Sequence, residues 1–164
     1  MTLYVEKGKH MSRNPCNSVD AVLFINKFRF DCVPIATQLS VPLENILGLA
    51  AQESEYGRGR IASEYNNYFS MHAPAPLQIR AEAAKKAPNV KVAVFNSFAD
   101  SAKSFAIRYG HLVIGKSDPK AFAEALVRGG FNPGNAEQGG RAGFANYLAE
   151  IIVQVRSRIT CPIK

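Results

Sequence analysis

Two carboxylates, Glu53 and Glu55, close an apolar run in the segment Gln52-Glu53-Ser54-Glu55-Tyr56-Gly57. A carboxyl group set among apolar side chains resists ionisation and so keeps a proton at neutral pH. Such an acid suits proton donation to a leaving oxygen, the step that opens glycosidic cleavage. On a helix each residue advances by about 100°, so Glu53 falls almost in line with Ile46, flanked by Leu49 and Ala50. Glu55 falls roughly opposite and faces away. Gly57 is a natural left-handed cap, which places Glu53 near the helix end, where the dipole again disfavours ionisation. A solvated Glu at a helix end has the same local pattern, and periodicity alone does not separate the two readings.

The stripe requires a helix over Leu43–Tyr56, begun by Ser40-Val41-Pro42, Pro being suited to a first turn. Before it, Val19, Val22, Leu23, Ile25, Phe28, Phe30, Val33, Ile35 and Ala36 outline a long apolar helix to about Gln38. Pro34 is expected to end or kink it. Residues 1–17 read as an irregular segment and 18–164 as one domain. Gly57 to Asn67 reads as a loop, Ile79–Lys86 as a short helical piece between prolines, and Val90–Phe95 as a short strand. Phe98–Leu112, Pro119–Arg128 and Arg141–Ile159 read as helices, with Asp118-Pro119 a start signal and Gly129-Gly130 a stop. The expected fold class is mainly α, a single compact helical domain.

A chain of 164 residues suits one core. Its net charge of +7 draws polyanions: nucleic acid, an anionic membrane face or the carboxylate-rich bacterial wall. The basic residues are scattered, with no run beyond Lys85-Lys86, which argues against a nucleic-acid stripe. Met1 to Asp20 holds no apolar stretch of signal-peptide length, and nothing later approaches a membrane span of roughly 18 apolar residues. The expectation is a soluble chain made in the cytoplasm without a cleaved signal and without membrane insertion. Cys16, Cys32 and Cys161 allow at most one internal disulfide; three thiols and one bridge both fit. Without CxxC spacing, and with His10, His72 and His111 far apart, neither a metal nor a cofactor is expected.

The stretch from Val41-Pro42 through Ala50-Ala51 to Glu53-Ser54-Glu55-Tyr56-Gly57 resembles the catalytic helix of the glucosaminidases, the family 73 glycoside hydrolases. There Val-Pro opens an apolar helix that ends in Glu-Ser-Gly-Trp-Gly. Asn66-Asn67-Tyr68-Phe69-Ser70 is similar to the Asn-Asn-Leu-Phe-Gly that follows, and Phe95–Ser101 to a later Tyr-Asp-Ser-like run. Asp118–Gly130 and Phe144–Ile152 resemble the last two helices, so the likeness covers residues from about 20 to 159. It implies a lysozyme-like helical domain with a cleft over the end of the Glu53 helix. It also implies Glu53 as general acid and hydrolysis of the β-1,4 bond after N-acetylglucosamine in peptidoglycan strands. Asn67, Tyr68 and Phe69 would line the cleft, Tyr68 being suited to stacking on sugar, with Asn66 capping the loop. Tyr56, in the place of the family's Trp, would keep an aromatic contact with substrate.

Two departures bear on mechanism. The family's small β-lobe, which carries a second acidic residue, is cut down to residues 73–95 or absent; Glu82 is the candidate by position and Glu64 the loop candidate. The family's late Tyr-Ala-Thr-Asp-Pro reads Gly130-Phe131-Asn132-Pro133-Gly134, so the tyrosine hydroxyl is missing and Tyr147 or Tyr109 would have to supply it. Inversion needs a second carboxylate to activate water, whereas the substrate's own 2-acetamido group can attack the anomeric carbon without one; the absence of an obvious second carboxylate favours that route.

A chain of this kind resembles the peptidoglycan glycoside hydrolase effectors that type VI secretion delivers into rival bacteria. That implies an antibacterial toxin acting in the periplasm of a target cell, and an immunity protein that plugs the Glu53 cleft with an acidic surface. The alternatives are a phage endolysin, a muramidase or lytic transglycosylase of the same superfold, and a non-catalytic basic protein that binds wall or nucleic acid.

Overall fold

Every residue from Asn45 to Ala51 is buried, so the helix that carries Glu53 is enclosed on all its faces before its last turn emerges. The structure, a computed structural model, describes residues 14–85, 87–131 and 143–162. The central helix is α2 (Leu43–Ser54), preceded by α1 (Val19–Leu39) and followed by the short α3 (Arg60–Tyr65). A hairpin of β1 (Arg80–Ala84) and β2 (Ala87–Val94) follows, then α4 (Phe98–Tyr109), α5 (Pro119–Arg128) and α6 (Phe144–Ile159). The expected mainly helical domain is what forms, with a reduced β-lobe rather than none.

α2 packs on α1 and α6, and α5 lies against α6. Gly48 lets α6 cross closely: a β-carbon there would lie 2.7 Å from Ile152 Cγ1 and 3.1 Å from its Cα. Gly48→Ala is therefore expected to destabilise the fold by about 1–3 kcal/mol through overpacking. An unchanged melting temperature would show that the two helices part freely. On the other flank, Phe24, Phe28, Tyr68 and Phe98 form an aromatic cluster in which Phe28 and Phe98 stack at 4.3 Å. Buried Asn45 donates from Nδ2 to the carbonyls of Lys116 and Ser117, both at 3.1 Å, and so anchors the loop before α5.

Several boundaries differ from the sequence expectation. α1 continues through Pro34 to Leu39; Pro34 lies on the exposed face, where water can serve the carbonyl that loses its partner. Residues 80–84 form a strand, not part of a helix, because pairing with β2 overrides the helical preference of Ala81, Ala83 and Ala84. The stretch from Gly57 to Asn67, expected as a loop, contains α3, ended by Asn66 in the left-handed conformation at φ 54°. α2 stops at Ser54, short of Tyr56, and the first helix-like residue of α6 is Phe144, Arg141 lying outside the described residues. α4 ends at Tyr109 and tightens into a 3-10 turn over Gly110–Leu112. Of the N-terminal segment, residues 1–13 lie outside the described part, and Pro15–Asn17 form a 3-10 turn.

A disulfide joins Cys16 in that turn to Cys161 after α6, and Cys32 is a free, buried thiol. Burial pushes the Cys32 thiol well above its ordinary range, with Asp31 adding to the effect. No helix among the described residues is long and apolar enough to cross a membrane.

Candidate active site

Glu53 is half-buried on the last turn of α2; Glu55 is exposed, but as the left-handed residue that ends the helix and not through helical phase. Directly after Ser54 the chain turns through three left-handed residues: Glu55 at φ 52°, Tyr56 at φ 54° and Gly57 at φ 82°. Ser70, also left-handed at φ 53°, donates its hydroxyl to the Glu53 carbonyl at 3.4 Å. The Asn66–Ser70 motif thus meets the main chain of the acid.

The same motif carries the hairpin. Asn67 is fully buried; its Nδ2 donates to the Met71 and Ala93 carbonyls, each at 2.9 Å, and its Oδ1 accepts from the Met71 N–H at 2.9 Å. Asn66 donates from Nδ2 to the Phe95 carbonyl at 3.0 Å, which gives it the capping and orienting place expected of it. Met71 and Ala73 make further main-chain bonds to β2. Glu53, its supporting loop and the hairpin are therefore one bonded assembly.

Glu82 sits half-buried on β1 opposite Val92, and Arg80, two residues back on the same face, bonds it at 2.9 Å. Glu64 is exposed on α3 and pairs with Arg60 at 3.4 Å, one helical turn away. Tyr147 is half-buried in the first turn of α6, and Tyr109 packs edge-on to Phe131 at 5.0 Å. Asn132, Pro133 and Gly134 lie outside the described residues.

The aromatic candidates stand deeper than a sugar-stacking role suggests. Phe69 is fully buried and stacks on Phe105 at 5.4 Å. Tyr68 is 8% exposed, and burial raises its phenol above the ordinary range. Its remaining surface, with that of Tyr56, lines an open groove of about 280 Å³ beside Phe24, Lys27 and Arg58. Tyr56 packs edge-on to Phe24 at 5.7 Å, and its hydroxyl accepts from Arg158 Nη1 at 2.7 Å. Burial raises the Tyr56 phenol, and the Arg158 charge and hydrogen bond oppose that.

Ser54, Ser70 and Arg158 take parts around the site that their residue types and spacing do not announce. Ser54 comes nearest, since it extends the buried line of Leu47 and Ala50 by one further turn. Arg158 carries no local signal, because its partner Tyr56 is 102 residues away. No group of three potential metal-ligating side chains occurs among the described residues.

A half-buried glutamate on the last turn of an enclosed helix, tied to a small hairpin in a mainly helical domain, is the frame of a lysozyme-like glycosidase. The model of the glucosaminidase family, described as mannosyl-glycoprotein endo-beta-N-acetylglucosaminidase, matches residues 32–157. The chain belongs to this family of glycoside hydrolases. It is 60% identical to a chain in a type VI secretion system effector–immunity complex from Pseudomonas protegens, with a TM-score of 0.81 over 90% of this chain and 99% of that one. A peptidoglycan hydrolase from Sphingomonas sp. A1 shares the fold at 22% identity, TM-score 0.69, covering 84% of this chain and 92% of that one. So does a C-terminally truncated glycoside hydrolase domain of FlgJ from Salmonella typhimurium, at 20% identity, TM-score 0.59, covering 84% and 98% respectively. No curated protein matches in sequence.

Proposed function

We propose that this glucosaminidase is a peptidoglycan hydrolase that cuts the β-1,4 bond after N-acetylglucosamine, with Glu53 as general acid. The observation that carries the reading is the placement of Glu53, half-buried at the end of α2 with its carbonyl held by Ser70. A net charge of +7 suits a wall rich in carboxylates. Tyr56 and Tyr68 supply aromatic surface to the groove beside Phe24 and Arg58, which would take part of the glycan strand, while Asn67 and Phe69 fix the loop from within. Tyr147 offers a phenol from α6. Glu82, on the hairpin, and Glu64, on α3, are the two candidates for a second carboxylate, each paired with an arginine; attack by the substrate's 2-acetamido group needs neither.

The role that fits is an antibacterial effector delivered by type VI secretion into the periplasm of a rival cell. The support is the 60% identical relative, which was solved as an effector–immunity complex. A cognate immunity protein with an acidic face over the Glu53 cleft would match the basic enzyme. Mass spectrometry of digested peptidoglycan tests the bond assignment. New reducing ends are expected to carry N-acetylglucosamine; anhydro-muramyl or N-acetylmuramic ends would overturn it.

A further inference from the structure

We propose that Ser54, the residue after Glu53, is a positioning residue for glycosidic cleavage; this rests on the reading of Glu53 as the acid. Ser54 is polar yet only 1% exposed. Its hydroxyl donates to the Ala50 carbonyl at 2.6 Å and accepts the Gly57 N–H at 2.9 Å. The first bond is the ordinary one of a serine inside a helix. The second is not, since it reaches forward across the end of the helix. The Ser54 carbonyl in turn accepts the Gly59 N–H at 2.9 Å. Both oxygens of this one residue therefore hold the chain that leaves α2.

What they hold is the left-handed run Glu55, Tyr56 and Gly57. A β-carbon crowds the carbonyl that follows in this region, so non-glycine residues stay there only where surrounding bonds over-determine them. The competing state is plain: Glu55 turns right-handed and α2 continues by another turn. That would swing Tyr56 away from Arg158 and re-aim the last turn, with Glu53 in it. Three contacts oppose it. They are the Gly57 N–H on the Ser54 hydroxyl, the Tyr56 N–H on the Ala51 carbonyl at 2.9 Å, and the close approach of Gly59. A β-carbon on Gly59 would lie 3.2 Å from the Ser54 carbonyl oxygen, so the chain passes that point tightly. Ser70 braces the Glu53 carbonyl separately. Of these groups only the Ser54 hydroxyl is a side chain one residue from the acid, and it can be removed without touching Glu53.

The test is Ser54→Ala in the full chain, assayed on soluble peptidoglycan strands. A displacement of the acid by a fraction of an ångström to 1 Å predicts a kcat lower by about 10- to 100-fold. KM is expected to rise less than kcat falls, because of the groups that bind the strand only Tyr56 rides on the run that Ser54 holds. Circular dichroism and a melting curve establish that the variant is folded at the assay temperature. Should Ser54→Ala not fold, Ser54→Cys takes its place, its nearly isosteric thiol being a poor hydrogen-bonding partner. A folded variant with wild-type kcat would overturn the proposal. So would a loss of activity that only tracks the fraction unfolded. A fully active Glu53→Gln would instead remove the underlying reading, so the two failures are told apart by separate variants.

Discussion

Glu53→Gln is expected to lower hydrolysis of purified peptidoglycan by about 10²–10⁴-fold, the range that general acid catalysis contributes. Gln keeps the size and shape of the side chain but has no proton to give to the leaving oxygen. The fold should persist, because α2 is held by its buried stretch Asn45 to Ala51 and not by residue 53. Binding to insoluble wall should persist as well. The measurement is release of soluble glycan fragments, with melting temperature as the control for folding. Activity within about tenfold of wild type would remove Glu53 from the chemistry. The companion variants Glu82→Gln and Glu64→Gln then sort the mechanism. Inversion through water needs a second carboxylate and should fail with one of them, whereas attack by the 2-acetamido group should leave both near wild type.

Opening the Cys16–Cys161 bridge is expected to cost roughly 5 kcal/mol of stability, because its loop spans nearly the whole chain. The sequence separation is 145, and long loops gain the most from closure. A domain of this size has only about 5–15 kcal/mol in hand, so reduction removes a large share. Two further bonds loosen at the same place: Arg158 Nε donates to the Pro15 carbonyl at 3.1 Å, beside Cys16, while the same guanidinium serves Tyr56. Denaturant titration with and without reductant, or of Cys16→Ser, measures the effect. A shift below about 1 kcal/mol would show that the turn over Pro15–Asn17 adds nothing to the fold. Cys32 should not interfere, since exchange needs a thiolate and an accessible sulfur, and this thiol is buried with its proton held.

The long helices were readable because their signals are local. Apolar residues recur with the helical period, and Asp118 caps α5 by accepting the Ala121 N–H at 3.0 Å. The place of Glu53 beside the buried line of α2 followed from the same period, whereas Glu55 is turned outward by the left-handed end of the helix. Of the hairpin, β2 was legible as the short strand over Val90–Phe95, but β1 was not, because Ala81, Ala83 and Ala84 prefer a helix until β2 pairs with them, and that pairing is a tertiary choice. Tyr68 shows the matching limit at the site. Its residue type fits sugar stacking, but the rings of Phe28 and Phe98, each 4.9 Å away, come from distant segments and enclose it. The left-handed run after Ser54 was half legible: Gly57 signals such a conformation, while Glu55 and Tyr56 do not.

The bridge has one more consequence, for how this fold bears a load. It sets the Cα atoms of Cys16 and Cys161 only 5.5 Å apart, so a pull between these two residues passes through one covalent link and not through the helices between them. Reductant removes that shortcut, so the same pull would fall on the helices in a reducing compartment and on the bridge in an oxidising one.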